Sequence, residues 1–262
     1  MDKLSDTQNQ LDDRNIAIDR VGVSDLSYPI QIRDKANALQ STIATVSLAV
    51  DLPHHYKGTH MSRFIETLNA HGPVLDVRGI VELPKELLSR LDAQTAHVVF
   101  RFPFFLEKKA PVTGKGGLMD YFVTFEVNAS VDSSDLVVTI EVPVTTLCPC
   151  SKAISDRGAH NQRGIVTYAT RAEKPIWIED LISLVEASAS CELYSVLKRP
   201  DEKAVTEKAY DNPVFVEDLV RNVASRSNAD ANIFWYRVTA NNFESIHNHN
   251  AYAMIESGAW EG

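Results

Sequence analysis

Alternating apolar and polar positions mark the clearest elements of the chain. Val46, Leu48, Val50 and Leu52 alternate with Thr45, Ser47, Ala49 and Asp51, the pattern of a strand with one face in a core. Tyr121, Val123, Phe125 and Val127 alternate with Phe122, Thr124, Glu126 and Asn128. After the Ser- and Asp-rich stretch 132–135, Leu136, Val138, Ile140 and Val142 repeat the pattern, so the two runs predict a hairpin. A further strand is predicted over 232–239. Helical spacing lies between these runs. Met61, Phe64, Ile65 and Leu68 fall at i, i+3, i+4 and i+7. A second helix is predicted over 84–93 and a third through Leu181, Ile182, Leu184 and Val185, extending towards Leu197. A fourth is predicted to start with Asn212 as its cap and Pro213 in its first turn, with the apolar stripe Val216, Leu219, Val220 and Val223.

This order (strand, helices, two strands, then the same again) predicts an α+β fold of two similar halves, each a sheet with helices on one face. The halves are placed at 28–147 and 148–262, with no residue-level repeat between them. Residues 1–27 are expected to be a flexible arm, being too polar to order themselves. Residues 145–164 join the halves.

With 44% hydrophobic and 23% charged residues the chain has a globular composition. It has no apolar run of the ~18 residues a membrane span requires, and its polar, acidic N-terminus does not read as a signal peptide. The expectation is therefore a cytoplasmic protein that is not embedded in a membrane. The net charge of −9 argues against a nucleic-acid partner, yet leaves room for a small anion in a local basic pocket. The three cysteines, Cys148, Cys150 and Cys191, are an odd number without a secretory signal, so they are expected to be free thiols available for metal or catalysis.

Most of the eight histidines gather in three windows. The first, 53–63, pairs Lys57 and Arg63 around a Gly58-Thr59 turn at a helix start, an arrangement suited to an anion such as phosphate; a solvated helix start would look the same. The second contains Cys148, Pro149 and Cys150, followed by His160. One cysteine with a histidine and a carboxylate suits a borderline divalent ion, and Glu202 is a plausible third ligand. The competing reading is of buried core thiols and a surface histidine. In the third, Glu244 precedes His247 and His249. The His-x-His spacing on a strand would put both rings on one face for metal ligation or proton transfer, or it is a polar strand end in water. Glu217, in the first turn of the fourth helix, could meet the paired N–H donors of a guanine-like edge; taken alone it reads as an ordinary exposed helix glutamate.

Taken together, residues 53–64 (PHHYKGTHMSRF), 146–152 (TLCPCSK) and 242–251 (NFESIHNHNA) resemble the type IB GTP cyclohydrolases. The resemblance spans nearly the whole chain beyond the N-terminal arm. It implies a tandem tunnelling fold assembling into a homo-oligomeric barrel, a homotetramer with active sites between subunits. It implies hydrolysis of GTP to formate and 7,8-dihydroneopterin triphosphate, the first step of tetrahydrofolate synthesis. A divalent metal (manganese, zinc or ferrous iron) would be bound through Cys148, His160 and Glu202. Glu217 would anchor the purine, Glu244, His247 and His249 would lie at the reacting ring, and Lys57 and Arg63 would meet the triphosphate. Two alternatives stand beside it: a tunnelling-fold nitrile reductase of queuosine synthesis, with a nucleophilic cysteine and a nicotinamide cofactor, and a non-catalytic metal-binding protein.

Overall fold

The first strand, β1 (Ile18–Arg33), begins inside the stretch expected to be a flexible arm. It pairs antiparallel with β2 (Leu39–Leu52) from Ile18↔Leu52 to Arg33↔Leu39. Register shifts between Ile18 and Val21 and between Val23 and Leu26 break its period-2 pattern, which is why alternation does not reveal it. Gly22 lies where β2 comes closest: a Cβ there would stand 1.9 Å from the Leu48 carbonyl oxygen. Residues 18–27 are thus paired strand. The computed structural model describes residues 8, 10–36, 38–77 and 79–258, so residues 1–7 and 9 of the expected arm lie outside the described residues, while Leu11 bridges Tyr56 and the Gln8 and Gln10 carbonyls accept from the Gly58 and Lys57 N–H groups.

The chain forms two compact units, one made of the chain up to Phe102 with Thr124–Val137, the other of Pro103–Val123 with the chain from Val138. In the first unit, β2 is followed by α1 (Met61–His71), β3 (Val74–Leu75), α2 (Glu82–Leu91) and the first part of β4 (Thr95–Lys109), which passes into the second unit at Pro103. The strand order is β3-β1-β2-β4, with β3 parallel to β1 and the other pairs antiparallel. Val46, Leu48, Val50 and Leu52 are buried as alternation requires, and Phe64 and Leu68 of α1 and Leu83 and Leu87 of α2 are buried with them. The strand β5 (Gly116–Ser130) follows and buries Tyr121, Val123, Phe125 and Val127.

In the second unit, β6 (Ser134–Leu147) is followed by α3 (Pro149–Ile154), β7 (Asn161–Ala172), α4 (Ile178–Glu186), β8 (Cys191–Glu192), α5 (Arg199–Asp211), α6 (Val216–Ala229), β9 (Ile233–Asn242) and β10 (Ala251–Ser257). The order is β10-β9-β7-β6, all antiparallel, with β8 pairing β6. Two predicted helix boundaries are corrected. The third helix stops at Glu186 rather than running towards Leu197, because the chain turns to lay Cys191 and Glu192 against β6. Asn212 caps the C-terminus of α5 instead of opening the next helix, and its side chain donates to the carbonyls of Ala189 and Ser190. The predicted stripe of α6 is correct: Val216, Leu219, Val220 and Val223 are all buried. Leu219→Ala is therefore expected to cost about 2–5 kcal/mol in a urea unfolding titration, as a cavity in a packed core does.

Apart from the two-residue strands β3 and β8 and the short α3, the observed order is two strands, helices and two strands over β1–β5 and again over β6–β10, where three strands were predicted in each half. Among the described residues no helix is long and apolar enough to cross a membrane.

Candidate functional site

The register of β6 with β7 brings the first reactive pair together. Leu147 faces Asn161 at the end of the ladder, and the next residues out, Cys148 and His160, continue it: the Cys148 N–H donates to the His160 carbonyl at 3.1 Å. Cys148 caps α3, with Pro149 in the first helical turn, where its missing N–H costs nothing. The Cys148 Sγ accepts from the Ser151 N–H at 3.4 Å. Ser151 Oγ donates to the Cys148 carbonyl and accepts from the His160 N–H, which closes the loop on itself. His160 Nδ1 lies 3.0 Å from Gln162 Oε1, and Gln162 Nε2 donates to the buried Thr146 hydroxyl at 3.0 Å. Since the Gln162 oxygen can only accept, Nδ1 is the donor of this pair, which leaves Nε2 as the ring nitrogen that could ligate a metal or exchange a proton. Glu244 Oε2 is 3.9 Å from the same Nδ1, with both side chains largely buried.

Two further segments close around this pair. The α6 helix presents Glu217 in its first turn, where a negative charge suits the helix dipole. Asp218, its neighbour, accepts from the Phe215 N–H at the cap. Residues 243–250 join β9 to β10 and carry Glu244, His247 and His249. The two histidines lie in this loop and not on a strand as expected, yet their rings stack with centroids 5.0 Å apart. Cys148, His160, Gln162, Glu217, Asn242, Glu244, His247 and His249 line one pocket of about 270 Å³, with Val214, Phe215, Val216 and Ala251 as its apolar wall.

Six of the residues singled out from sequence therefore meet in one place: Cys148, His160, Glu217, Glu244, His247 and His249. Glu202 does not line the pocket; it is exposed in the first turn of α5. Its neighbour Asp201 is fully buried and accepts from the Val112, Thr113 and Lys198 N–H groups, so the start of α5 is firmly placed. Lys57 and Arg63 belong to the first unit and are not among the lining residues. Arg63 is turned to the Arg90 carbonyl at 3.3 Å. Among the described residues no group of three or more His, Cys, Asp or Glu side chains is placed to hold a metal ion. The donors present nevertheless suit one in part: a thiol and an imidazole share the pocket, and the histidine's Nδ1 has the outer partner, Gln162, that ligating histidines require. Gln162 and Asn242 escaped the sequence reading, because a polar residue at a strand end carries no signal until the strand's neighbours are known.

The three thiols sit in different surroundings: Cys150 is exposed, Cys148 half-buried and Cys191 buried. Burial, with the Glu192 carboxylate beside it, pushes the Cys191 thiol up to about 12. Burial also works against the charge on Glu192, but hydrogen bonds from Lys208 and Tyr194 outweigh it and hold that carboxyl at about 2. Cys191 is therefore a thiol at neutral pH, unreactive as a nucleophile. Iodoacetamide at pH 8 is expected to label Cys150 first and to leave Cys191 unmodified in the folded protein, as peptide mapping would read.

The chain was compared with known proteins. The family model described as "Type I GTP cyclohydrolase folE2" matches residues 4–253. The GTP cyclohydrolase FolE2 of Akkermansia muciniphila is 64% identical over 259 residues, covering 98% of each chain. That of Nitrosococcus oceani is 54% identical over 253 residues, covering 97% of this chain and 95% of the relative. Among solved structures, the uricase from Arthrobacter globiformis superimposes with a TM-score of 0.53 at 11% identity, covering 93% of this chain and 94% of that one. A mutant urate oxidase from Bacillus sp. TB-90 gives 0.55 at 6% identity, covering 92% and 100%. At such identities the likeness concerns the fold alone, and it supports the tunnelling fold expected from the sequence. A family match over nearly the whole length decides against the nitrile reductases, and the chain belongs to the type I GTP cyclohydrolase family of the FolE2 kind.

Proposed function

We propose that the protein hydrolyses GTP to formate and 7,8-dihydroneopterin triphosphate, the opening step of tetrahydrofolate synthesis. The observation that carries this reading is the pocket in which Cys148, His160, Glu217, Glu244, His247 and His249 converge in a chain of this family. The reaction needs two hydrolytic events at C8 of the purine, the first opening the imidazole ring and the second releasing formate. Closure of the pterin ring returns one water, so one is consumed overall. Glu217 holds the guanine by accepting from N1–H and the exocyclic NH₂, two donors side by side on one edge that match two carboxylate oxygens. His247 and His249 move protons to and from the ring nitrogens, being the side chains whose ordinary pKa lies near neutral pH. Glu244 and Gln162 orient the His160 imidazole.

A divalent metal (manganese, zinc or ferrous iron) would be held by Cys148 and His160, with Glu202 as the third ligand. Bound there, it would supply Lewis-acid activation of water. The pocket of one chain supports a shared site: its volume of about 270 Å³ falls just below the ~300–1,000 Å³ usual for small-molecule pockets. It can seat a base but not a whole nucleoside triphosphate. A homotetramer with sites between subunits would complete it, the second copy adding Glu202 and the basic residues Lys57 and Arg63 for the triphosphate. A local basic wall is what an anion needs in a chain of net charge −9. The protein would act in the cytoplasm, where its free thiols stay reduced.

The test is to incubate the purified protein with GTP in chelator, then with added Mn²⁺, Zn²⁺ or Fe²⁺. Formate release and pterin fluorescence after oxidation are the readouts. Metal-dependent production of both is expected; no turnover with any of the metals, from a folded sample, would overturn the reading.

A further inference from the structure

Asn242 is an anomaly at the edge of the pocket. It is 2% exposed, and its Oδ1 has no hydrogen-bond partner among the described residues. Buried amides are nearly always paired, because an unpaired one loses its water for nothing in return. Asparagine is also a poor strand residue, yet it ends β9 with a strand on either side. Its cross-strand neighbours are the smallest available, Gly164 on β7 and Ala251 on β10. Gly164 is there for space: a Cβ would stand 2.3 Å from Asn242 Oδ1 and 3.2 Å from the Asn241 carbonyl oxygen. The Asn242 side chain therefore lies across the bare Cα of Gly164. With Oδ1 turned to Gly164, the NH₂ branch is the end left for the pocket that Asn242 lines.

The position of this NH₂ can be compared with the order of groups around a guanine. The donor edge, N1–H and the 2-amino group, is followed by the acceptor edge, O6 and N7, and then by C8. In the protein, β9 lies between β7 and β10, and α6, which carries Glu217, packs on β9. On β7, Gly164 opposite Asn242 is two residues from Gln162, the partner of His160. A carboxamide donor thus lines the same pocket as the carboxylate proposed to read the donor edge and the thiol–imidazole pair expected at C8. We propose that Asn242 is a specificity-determining contact whose NH₂ donates to guanine O6, seated by the absence of a side chain at Gly164. This rests on the GTP cyclohydrolase reading above.

The experiment uses the full-length, metal-loaded protein with GTP and 6-thio-GTP, in which a weakly accepting sulfur replaces O6. The parent protein is expected to prefer GTP in kcat/KM by roughly tenfold, the worth of one hydrogen bond. In Asn242→Ala that preference should collapse towards one, with the loss on GTP falling mainly on KM. GTP binding to the metal-stripped variant should weaken by a similar factor. Thermal stability should not drop, since the variant removes an unpaired buried amide; a markedly lower Tm would mark Asn242 as structural and overturn the proposal. Gly164→Ala keeps the amide but unseats it, and should reproduce the lost preference. A parent preference retained in Asn242→Ala would overturn this inference alone, whereas a parent protein that neither binds nor turns over GTP would overturn the function beneath it.

Discussion

Cys148→Ala is expected to lose its divalent metal and at least about a thousandfold in GTP turnover, some 4 kcal/mol of transition-state stabilisation. The side chain lines the pocket beside His160, and among the described residues its sulfur accepts one long hydrogen bond, from the Ser151 N–H at 3.4 Å. Removing Sγ should therefore spare the fold while removing a ligand. Metal content of the purified variant and its Tm separate the two effects. Full activity with full metal occupancy would show that the thiol is no ligand. Glu202→Ala should be equally inactive, although Glu202 stands outside the pocket of its own chain. If the site is shared between copies, refolding the two inactive variants together should restore activity, because some sites then combine an intact Cys148 with an intact Glu202 from another copy. If both variants lose metal and mixing restores nothing, the ligands come from one chain and the shared-site reading fails.

Glu217→Gln is the second large effect. The substitution keeps the shape but replaces one accepting oxygen with a donor that would face a guanine N–H. An unpaired polar group against a substrate donor is among the strongest sources of discrimination, so kcat/KM for GTP should fall roughly a thousandfold. Inosine triphosphate lacks the exocyclic amine and should suffer less, so the parent's preference for GTP over ITP should shrink in the variant. Glu217 is exposed on α6 and is not among the residues that helix buries, so the variant should unfold like the parent. Steady-state kinetics with both nucleotides would check this, and an undiminished kcat/KM for GTP would remove Glu217 from the binding site.

Much of the fold could be read from periodicity, because burial on one face imposes it. The strands β2, β5 and β6 and the helices α1 and α6 sit where their apolar positions predict. The elements that escaped did so for identifiable reasons. The β1 strand is bulged, which scrambles alternation, and only Ile30 and Ile32 of it are buried. The α5 helix is polar on nearly every side, burying only Asp201 and Ala209, so no stripe betrays it. Pro200 in its first turn was the available signal.

The chemistry divides in the same way. By itself, the sequence determined that the chain is a tandem α+β protein of this cyclohydrolase family, and that its reactive side chains lie in three windows. Local pattern carries the order of strands and helices and the three windows directly; the family comes from the resemblance of residues 53–64, 146–152 and 242–251 to its known members. Only the tertiary structure decided which windows meet. Strand register set Cys148 opposite His160, and the pairing of β7, β9 and β10 laid Asn242 over Gly164. The packing of α6 on β9 brought Glu217 to the same pocket, while Glu202 and the first-window residues Lys57 and Arg63 were left off its walls. Residues distant in sequence become neighbours through hydrogen-bond register and side-chain packing, and neither is encoded in the local alternation of apolar and polar positions.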